Sequence, residues 1–238
     1  ANLGLILGIS VVCIPSVVHK QQFRLKALLM AASALLLFLL CRGGRLTVGP
    51  SLCLVAVFTV YLVSNLTDAR TSMAENRTES GRGRSVSRRQ LAGKLTAFVV
   101  GIAAIVMGSQ MLICYGSKIA ILLGVPAGII GVTMVAIGTS LPELVTTLTA
   151  ISRREASMSV GNIIGANVID LTMILPVCSA VSGGRLTLSR QTIGLDMPVC
   201  LGMCALAVLP PLIKGRFYRW QGVLMLAAYI VYVAALVR

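Results

Sequence analysis

The segment GVTMVAIGTSLPELVTTLTAISRREASMSVGNIIGANVID, residues 131–170, decides how the rest of the chain is interpreted. It places Glu143, directly after Pro142, in the middle of one long apolar segment and Asp170 near the middle of the next. The residues around both acids are small or carry hydroxyl or amide groups: Gly138, Thr139, Ser140, Thr146, Thr147, Gly161, Gly165, Ala166 and Asn167. Because a carboxylate within a bilayer is energetically costly, two of them at similar depth predict a functional site.

The composition shows why these apolar segments are assigned to a membrane. Hydrophobic residues make up 57% of the 238 residues, charged residues only 12%, and the mean hydropathy is +0.92. A soluble domain of this length needs far more charge on its surface. The chain is therefore predicted to be an all-α polytopic membrane protein.

The charge and cysteine patterns fit the same class. A net charge of +14 would suggest nucleic-acid binding in a soluble protein, but here Lys and Arg lie almost wholly between apolar runs. There, orientation and contact with anionic lipid headgroups explain them, so we expect membrane lipids as partners and no nucleic acid. The seven cysteines lie singly in or beside apolar runs and are assigned no metal and no disulfide.

Eight apolar runs predict eight transmembrane helices, most of them long enough to cross a hydrocarbon core of roughly 30 Å. The runs are 1–18, 25–41, 49–67, 93–124, 126–151, 160–182, 193–212 and 218–237. Since the chain opens directly inside an apolar run, the first helix is expected to be cut short and the chain to begin within a longer protein.

A polar segment rich in Arg and Ser, residues 68–92, is predicted to be a flexible basic linker. Counting Lys and Arg on alternate sides of the membrane gives 15 on the side of this linker and 6 on the other. The linker is therefore expected to be cytoplasmic and the C-terminus to face outward. The smaller set comprises Arg42, Arg45, Lys118, Arg185, Arg190 and Arg238.

An internal repeat appears when the chain is shifted against itself by 168 residues. Asn2 then falls on Asp170 and Tyr61 on Tyr229, with helices and loops in register. Five membrane crossings separate the two copies, so they are predicted to be inverted, as in many secondary transporters. The expected division is 1–67, the rest of a first repeat with three helices, the linker at 68–92, and 93–238, a second five-helix repeat.

The first acidic segment is expected to contain a broken helix. Gly138 and Pro142 both weaken a helix, so the backbone of residues 136–143 should be kinked or partly unwound and should turn carbonyls toward a cavity. Thr139, Ser140 and Glu143 are close enough in sequence to share one face. The alternative is that the two hydroxyls only satisfy the broken backbone.

In the second acidic segment Asp170 lies about 15 Å along a helix from Val160, near the midplane of the membrane. Asn167 lies one turn earlier and joins the candidate ligands. Carboxylate, hydroxyl, amide and carbonyl oxygens suit hard cations such as Ca²⁺ and Na⁺. A structural role for Asp170, holding Asn2 or Thr172, is the alternative.

The pattern G-x-T-x-x-A-x-G-T-S-x-P-E-L at residues 131–144, followed by G-N-x-x-G-A-N-x-x-D at residues 161–170, strongly resembles the second signature repeat of the sodium/calcium exchanger superfamily of cation antiporters. The opening Ala1-Asn2-Leu3 resembles the end of the first. The resemblance implies ten transmembrane helices in two inverted repeats of five, with Ca²⁺ and Na⁺ bound alternately at central, overlapping sites.

The resemblance also implies roles for individual residues. Glu143 would be the shared carboxylate ligand, Thr139 and Ser140 hydroxyl ligands, and the carbonyl of Ala136 a Na⁺ ligand. Asp170 and its counterpart Asn2 would lie beside the central site.

Two departures from the family pattern are visible. Ala166 stands where many members have Ser, which removes one Na⁺ ligand. The Glu of the first repeat would fall about 26 residues before Ala1 if the repeat holds. By the resemblance, two helices and most of a third are expected upstream.

The function predicted from these observations is secondary-active exchange of Ca²⁺ for Na⁺ by alternating access, without enzymatic activity or a cofactor, in a bacterial inner or plasma membrane. Coupling to H⁺, or to K⁺ together with Na⁺, is the nearest alternative. A cation channel or a non-transporting membrane protein is a more distant one. The oligomeric state is left open.

Overall fold

Each of the eight apolar runs contains a helix. The computed structural model describes residues 1–14, 20–79 and 88–237. The helices are α1 (Gly8–Cys13), α2 (Lys20–Cys41), α3 (Val48–Glu79), α4 (Arg88–Leu122), α5 (Ala127–Ile130), α6 (Ala136–Thr139), α7 (Leu141–Ser152), α8 (Ala156–Ile169), α9 (Leu175–Val181), α10 (Met197–Lys214) and α11 (Arg219–Val237). Four π-helical segments, Asn2–Leu7, Gly131–Val135, Asp170–Ile174 and Thr192–Asp196, run directly into α-helices. Two short strands, β1 (Arg45–Thr47) and β2 (Arg185–Thr187), complete the secondary structure of the described residues.

Six helical spans in the described residues are long and apolar enough to cross a membrane. They are Phe23–Cys41, Val48–Thr71, Arg89–Leu122, Met158–Val181, Thr192–Lys214 and Arg219–Leu236. A seventh arises if Thr133–Thr139 and Leu141–Ser152, which meet at a bend of 50°, form one broken span. The first of the eight predicted helices, Asn2–Cys13, is apolar but shorter than a full span. The predicted class, a mostly helical polytopic membrane protein, is confirmed.

The bend lies where the sequence predicted a break, but its backbone differs in detail from the expectation. The amide of Ser140 still donates to the carbonyl of Ala136, at 3.3 Å, and to that of Ile137, at 3.1 Å. The carbonyl of Ala136 is therefore not freed. The reason is that Pro142 removes the donor that lies four residues after Gly138, so the missing amide does not affect Ala136.

The described chain divides into two compact units. One comprises Ala1–Tyr61 and Glu143–Arg238, and the other Leu62–Pro142. The second unit contains α4 and α6, and α4 packs on α6 at Gly138, where a Cβ atom would overlap the side chain of Ile113.

The core of the first unit is built from α1, α2, α8, α10 and α11. On α2 the buried apolar residues recur every three or four positions: Phe23, Ala27, Met30, Ala34, Leu37 and Cys41. This spacing marks one face of a helix. The helices α1 and α11 approach closely at Gly8 and Gly222, where a Cβ atom on Gly222 would lie 2.7 Å from the carbonyl oxygen of Gly8.

The two ends of the first unit are each fixed by a contact between distant parts of the chain. At one end β1 pairs antiparallel with β2, in a register that sets Leu46 opposite Leu186. At the other end the rings of Phe23 and Phe217 meet edge to face, with their centroids 5.7 Å apart. The strand end carries Arg45 and Arg185, which the sequence had assigned to the same side of the membrane.

The predicted linker is helical at both ends, since α3 continues to Glu79 and α4 begins at Arg88. Residues 80–87 of this segment lie outside the described residues. The assignment of 68–92 to the cytoplasm, and the division into two inverted repeats, stay predictions.

Candidate functional site

A cavity of about 370 Å³ in the first unit contains both acids of the central segment. It is lined by Tyr61, Glu143, Gly161, Asn162, Gly165, Ala166, Ile169, Asp170 and Ile174. Most of these residues come from one face of α8 and the π-helical segment after it. Gly161, Gly165 and Ala166 keep that face narrow, because none of them carries a side chain larger than a methyl group.

Asp170 begins a π-helical segment and meets Asn2, which begins another. The Nδ2 atom of Asn2 donates a hydrogen bond of 3.3 Å to Oδ2 of Asp170. The Oδ1 atom of Asn2 is buried and has no hydrogen-bond partner among the described residues. An unpartnered buried oxygen is costly, so this atom is available to a cation or to water.

Glu143 enters the cavity from the first turn of α7. Its Oε2 atom is buried and, within the described part of the chain, finds no hydrogen-bond donor. A carboxylate oxygen in this situation needs a cation, a proton or water to offset its lost hydration. The cavity thus brings together two carboxylates, which are hard oxygen ligands. Asn2 is not part of the cavity lining but contacts it through its hydrogen bond to Asp170.

Three further predicted ligands, Ala136, Thr139 and Ser140, belong to the second unit. The hydroxyl of Thr139 donates to the carbonyl of Val135 at 2.9 Å and to that of Ala136 at 3.3 Å. The side chain of Ser140 is buried, with 8% of its surface exposed. In this conformation the Thr139 hydroxyl satisfies its own helix, as the alternative interpretation of the sequence supposed.

Asn167 lies outside the cavity lining. Its Nδ2 atom donates to the carbonyl of Ile163, one turn earlier, at 2.8 Å. This bond holds the amide against its own helix. A ligand role for Asn167 stays a prediction that this conformation does not support.

Two polar residues of the cavity lining were not proposed as ligands from the sequence. Asn162 lines the cavity and donates a 2.8 Å hydrogen bond to Thr146 across α7 and α8. Tyr61 also lines it, and its hydroxyl lies against Gly165. The only sequence signal for Tyr61 was its alignment with Tyr229 in the repeat, which says nothing about what either side chain contacts.

The described residues contain no group of three or more His, Cys, Asp and Glu side chains placed to hold a metal ion. Among the residues that line the cavity, the acids are Glu143 and Asp170, and Asn162 and Tyr61 contribute neutral polar groups.

Comparisons with known proteins identify the family of this chain. The family model described as "Sodium/calcium exchanger protein" matches residues 1–67 and 94–238. An "Uncharacterized membrane protein MJ0091" from Methanocaldococcus jannaschii is 30% identical over 237 residues, which cover 99% of this chain and 72% of that protein. The "Sodium/calcium exchanger MaX1" of Methanosarcina acetivorans is 30% identical over 145 residues, 61% of this chain and 41% of that protein.

A solved structure has the same fold. The sodium-calcium exchanger NCX_Mj, soaked with 2.5 mM Na⁺ and 0.1 mM Ca²⁺, superimposes with a TM-score of 0.76 at 27% identity. The superposition covers 99% of this chain and 72% of that one. The family model alone accounts for most of the residues, and the cavity with its two carboxylates lies inside the matched region. The chain is thus an integral membrane transporter, not an enzyme, and it belongs to the sodium/calcium exchanger family.

Proposed function

We propose that the protein exchanges Ca²⁺ for Na⁺ across a membrane by alternating access, with Glu143 and Asp170 as the carboxylates that hold the transported ion. The observation that carries this proposal is that both acids line one cavity and that Glu143 has a buried, unpartnered Oε2 atom. The exchange activity named for MaX1 and NCX_Mj supports the choice of ions.

The transport of Ca²⁺ is coupled to that of Na⁺ because the two ions compete for the same two carboxylates. A cavity with two negative charges is stabilised by one Ca²⁺ or by Na⁺ ions, and an empty cavity retains uncompensated charge. Moving such a charge through the membrane interior is costly, so the loaded forms cross more readily than the empty one. The gradient of the counter-ion then supplies the free energy for transport.

Asn2 has a defined part in this mechanism. By donating Nδ2 to Asp170 it fixes the carboxylate, and it leaves its own Oδ1 as a neutral ligand. Ala166 lines the cavity but has no side-chain oxygen. We therefore expect fewer Na⁺ ligands than in relatives that carry Ser at this position.

Protons are the nearest alternative counter-ions, because two carboxylates that share one cavity can also be neutralised by protonation. Dependence on K⁺ in addition to Na⁺ is a second variant. We place the protein in the inner or plasma membrane of a prokaryote with residues 68–92 on the cytoplasmic side, as the excess of Lys and Arg there supports.

The test is uptake of ⁴⁵Ca into vesicles that hold the full-length protein. The vesicles are loaded with Na⁺, diluted into Na⁺-free medium and kept at equal pH on both sides. Uptake that requires internal Na⁺ supports the proposal. Uptake that depends only on a pH gradient indicates Ca²⁺/H⁺ exchange, and uptake that also needs K⁺ indicates the K⁺-dependent variant.

A matched pair of substitutions connects the activity with the site. Glu143→Gln should lower uptake by about 100-fold, as expected for the loss of ~3 kcal/mol from a buried charge interaction. Glu155→Gln makes the same chemical change at an exposed carboxylate beside α8 and should leave uptake unchanged. Equal activity of the two variants would refute the assignment of Glu143.

A further inference from the structure

Tyr61 has a closely fitted position beside the two carboxylates. It lies on α3 and lines the same cavity as Glu143 and Asp170. Its hydroxyl oxygen points at the backbone of Gly165 on α8. A Cβ atom added to Gly165 would lie only 2.6 Å from that oxygen.

The hydroxyl oxygen of Tyr61 occupies the space that a side chain at position 165 would need. The next ring atom, Cζ of Tyr61, would lie 3.8 Å from the added Cβ atom, an ordinary van der Waals distance. A tyrosine ring is rigid, so the oxygen cannot yield to a new methyl group without movement of the whole ring. Gly165 therefore sets how deep Tyr61 reaches into the cavity.

The tyrosine at the related position in the second half of the chain packs on a different glycine. Tyr229, the counterpart of Tyr61 at a shift of 168 residues, packs its Cβ atom and ring on Gly4, two residues after Asn2. Tyr229 does not belong to the cavity lining formed by the described residues. Of these two tyrosines, Tyr61 alone combines the contact on glycine with a place next to both acids.

We propose that Tyr61 is a positioning residue of the cation cavity: its ring, held against Gly165, fixes the width of the cavity beside Glu143 and Asp170 and thereby its affinity for Ca²⁺. This inference rests on the proposed function, because it assigns the cation to the same cavity. A rigid wall limits the space beside the two carboxylates and so favours a dehydrated Ca²⁺ there. Without the wall, water or a larger hydrated ion would occupy the space.

The contact suggests a double-mutant cycle. Gly165→Ala should displace the ring and raise the Ca²⁺ concentration for half-maximal uptake by about tenfold, equivalent to ~1.4 kcal/mol of binding free energy. Tyr61→Phe keeps the ring, removes the oxygen and supplies the reference value for the cycle. In the double variant the clashing oxygen is gone, so the half-saturating concentration should return to that of Tyr61→Phe alone.

A readout and a control variant distinguish a positioning role of Tyr61 from a general loss of protein stability in Gly165→Ala. The effect of Gly165→Ala should appear in the half-saturating Ca²⁺ concentration more than in the maximal rate. Gly202→Ala, at a helical glycine of α10 with open space around its missing side chain, controls for the glycine-to-alanine change itself. It should leave both quantities as in the unmodified protein.

The outcomes that overturn the inference are specific. Unchanged half-saturation in Gly165→Ala, or a double variant as impaired as Gly165→Ala, would show that Tyr61 does not position the site. If Gly165→Ala gives no folded protein, Tyr61→Ala replaces it. Removal of the ring must then raise the half-saturating Ca²⁺ concentration well above the value for Tyr61→Phe, and any other pattern overturns the inference.

If the proposed exchange function is wrong, the uptake assay gives a result that differs from those above. If the unmodified protein shows no Na⁺-driven uptake, the exchange assignment fails. Equilibrium binding of ⁴⁵Ca to the purified full-length protein and the same variants then decides the role of Tyr61. Absence of Ca²⁺ binding to the unmodified protein would overturn both.

Discussion

Asn2 and Asp170 are hydrogen-bonded partners although 168 residues separate them in the sequence, and each begins a π-helical segment. The same shift of 168 residues relates the two positions in the predicted repeat. If that repeat is inverted, a contact between equivalent positions lies on its pseudo-symmetry axis, which is where inverted-repeat transporters bind their ions.

The pair can be tested by exchanging its members. Asp170→Asn should reduce Na⁺-dependent ⁴⁵Ca uptake about tenfold or more, because the cavity loses one of its two charges. Asn2→Asp combined with Asp170→Asn returns a carboxylate to the pair and should recover most of the uptake. If Asp170 only braces Asn2, the exchange should fail and Asn2→Ala should impair uptake as much as Asp170→Asn.

The paired strands predict which loops share a side of the membrane. Cysteines introduced one at a time at Arg45, Arg185 and Arg216, in a protein without its seven native cysteines, would be labelled with an impermeant maleimide. Arg45 and Arg185 lie in paired strands and should be labelled from the same side. Arg216, next to Phe217 at the opposite end, should be labelled only from the other. Labelling of all three from one side would contradict the topology.

Gln221 compensates for a proline within α10. Pro210 has no amide hydrogen for the carbonyl of Leu206, and Nε2 of Gln221 donates to that carbonyl at 2.7 Å. Gln221→Leu should destabilise the protein by about 1 kcal/mol, at the low end for an unsatisfied carbonyl, because it also removes the unpartnered Oε1 atom. The thermal midpoint in detergent should fall by about 2–4 °C.

A second variant isolates this cause. In a Pro210→Ala background, the new amide of residue 210 can bond Leu206, so Gln221→Leu should no longer lower the midpoint. An equal fall in both backgrounds would show that Gln221 stabilises the protein in some other way.

The close contact of Gly138 with Ile113 predicts a strong steric effect inside the second unit. Gly138→Ala would place a Cβ atom on the γ carbon of Ile113 and should destabilise the protein by about 1–3 kcal/mol through overpacking. Ile113→Ala should relieve the clash, since the Cβ atom of Ile113 is 3.7 Å away. Ile113→Val should not, because valine retains both γ carbons.

The thermal midpoint measures the effect, and Gly101→Ala is the control on α4, with open space around the added methyl group. A Gly138→Ala protein as stable as Gly101→Ala would refute the close packing of Gly138 on Ile113.

Particular residues show how far the sequence could go. The break after Gly138 was predicted because glycine and proline act locally, and the chain does bend there by 50°. The hydrogen bonding of the backbone at the bend could not be predicted, because it depends on which hydroxyl or amide reaches each carbonyl. Thr139 turned out to bond the carbonyls of Val135 and Ala136.

The sequence alone says little about which face of each helix is buried. From Ala27 to Cys41 in α2 every residue except Ser33 is apolar, so the buried stripe there does not stand out by hydrophobicity. Lipid and protein interior favour the same residue types, and the usual contrast between a wet and a dry face is absent. For the same reason, nothing in the sequence indicated that Tyr61 faces the cavity and not the lipid.

The sequence by itself determined the membrane class, the family and the presence of two acids within apolar segments, which are candidates for a site because a carboxylate in an apolar span is costly wherever the span packs. The tertiary structure decided that Glu143 and Asp170 share a cavity, that Asn2 bonds Asp170, and that Tyr61 lies on Gly165. These relations join residues far apart along the chain. Their distances follow from how helices pack against each other, which local composition does not specify.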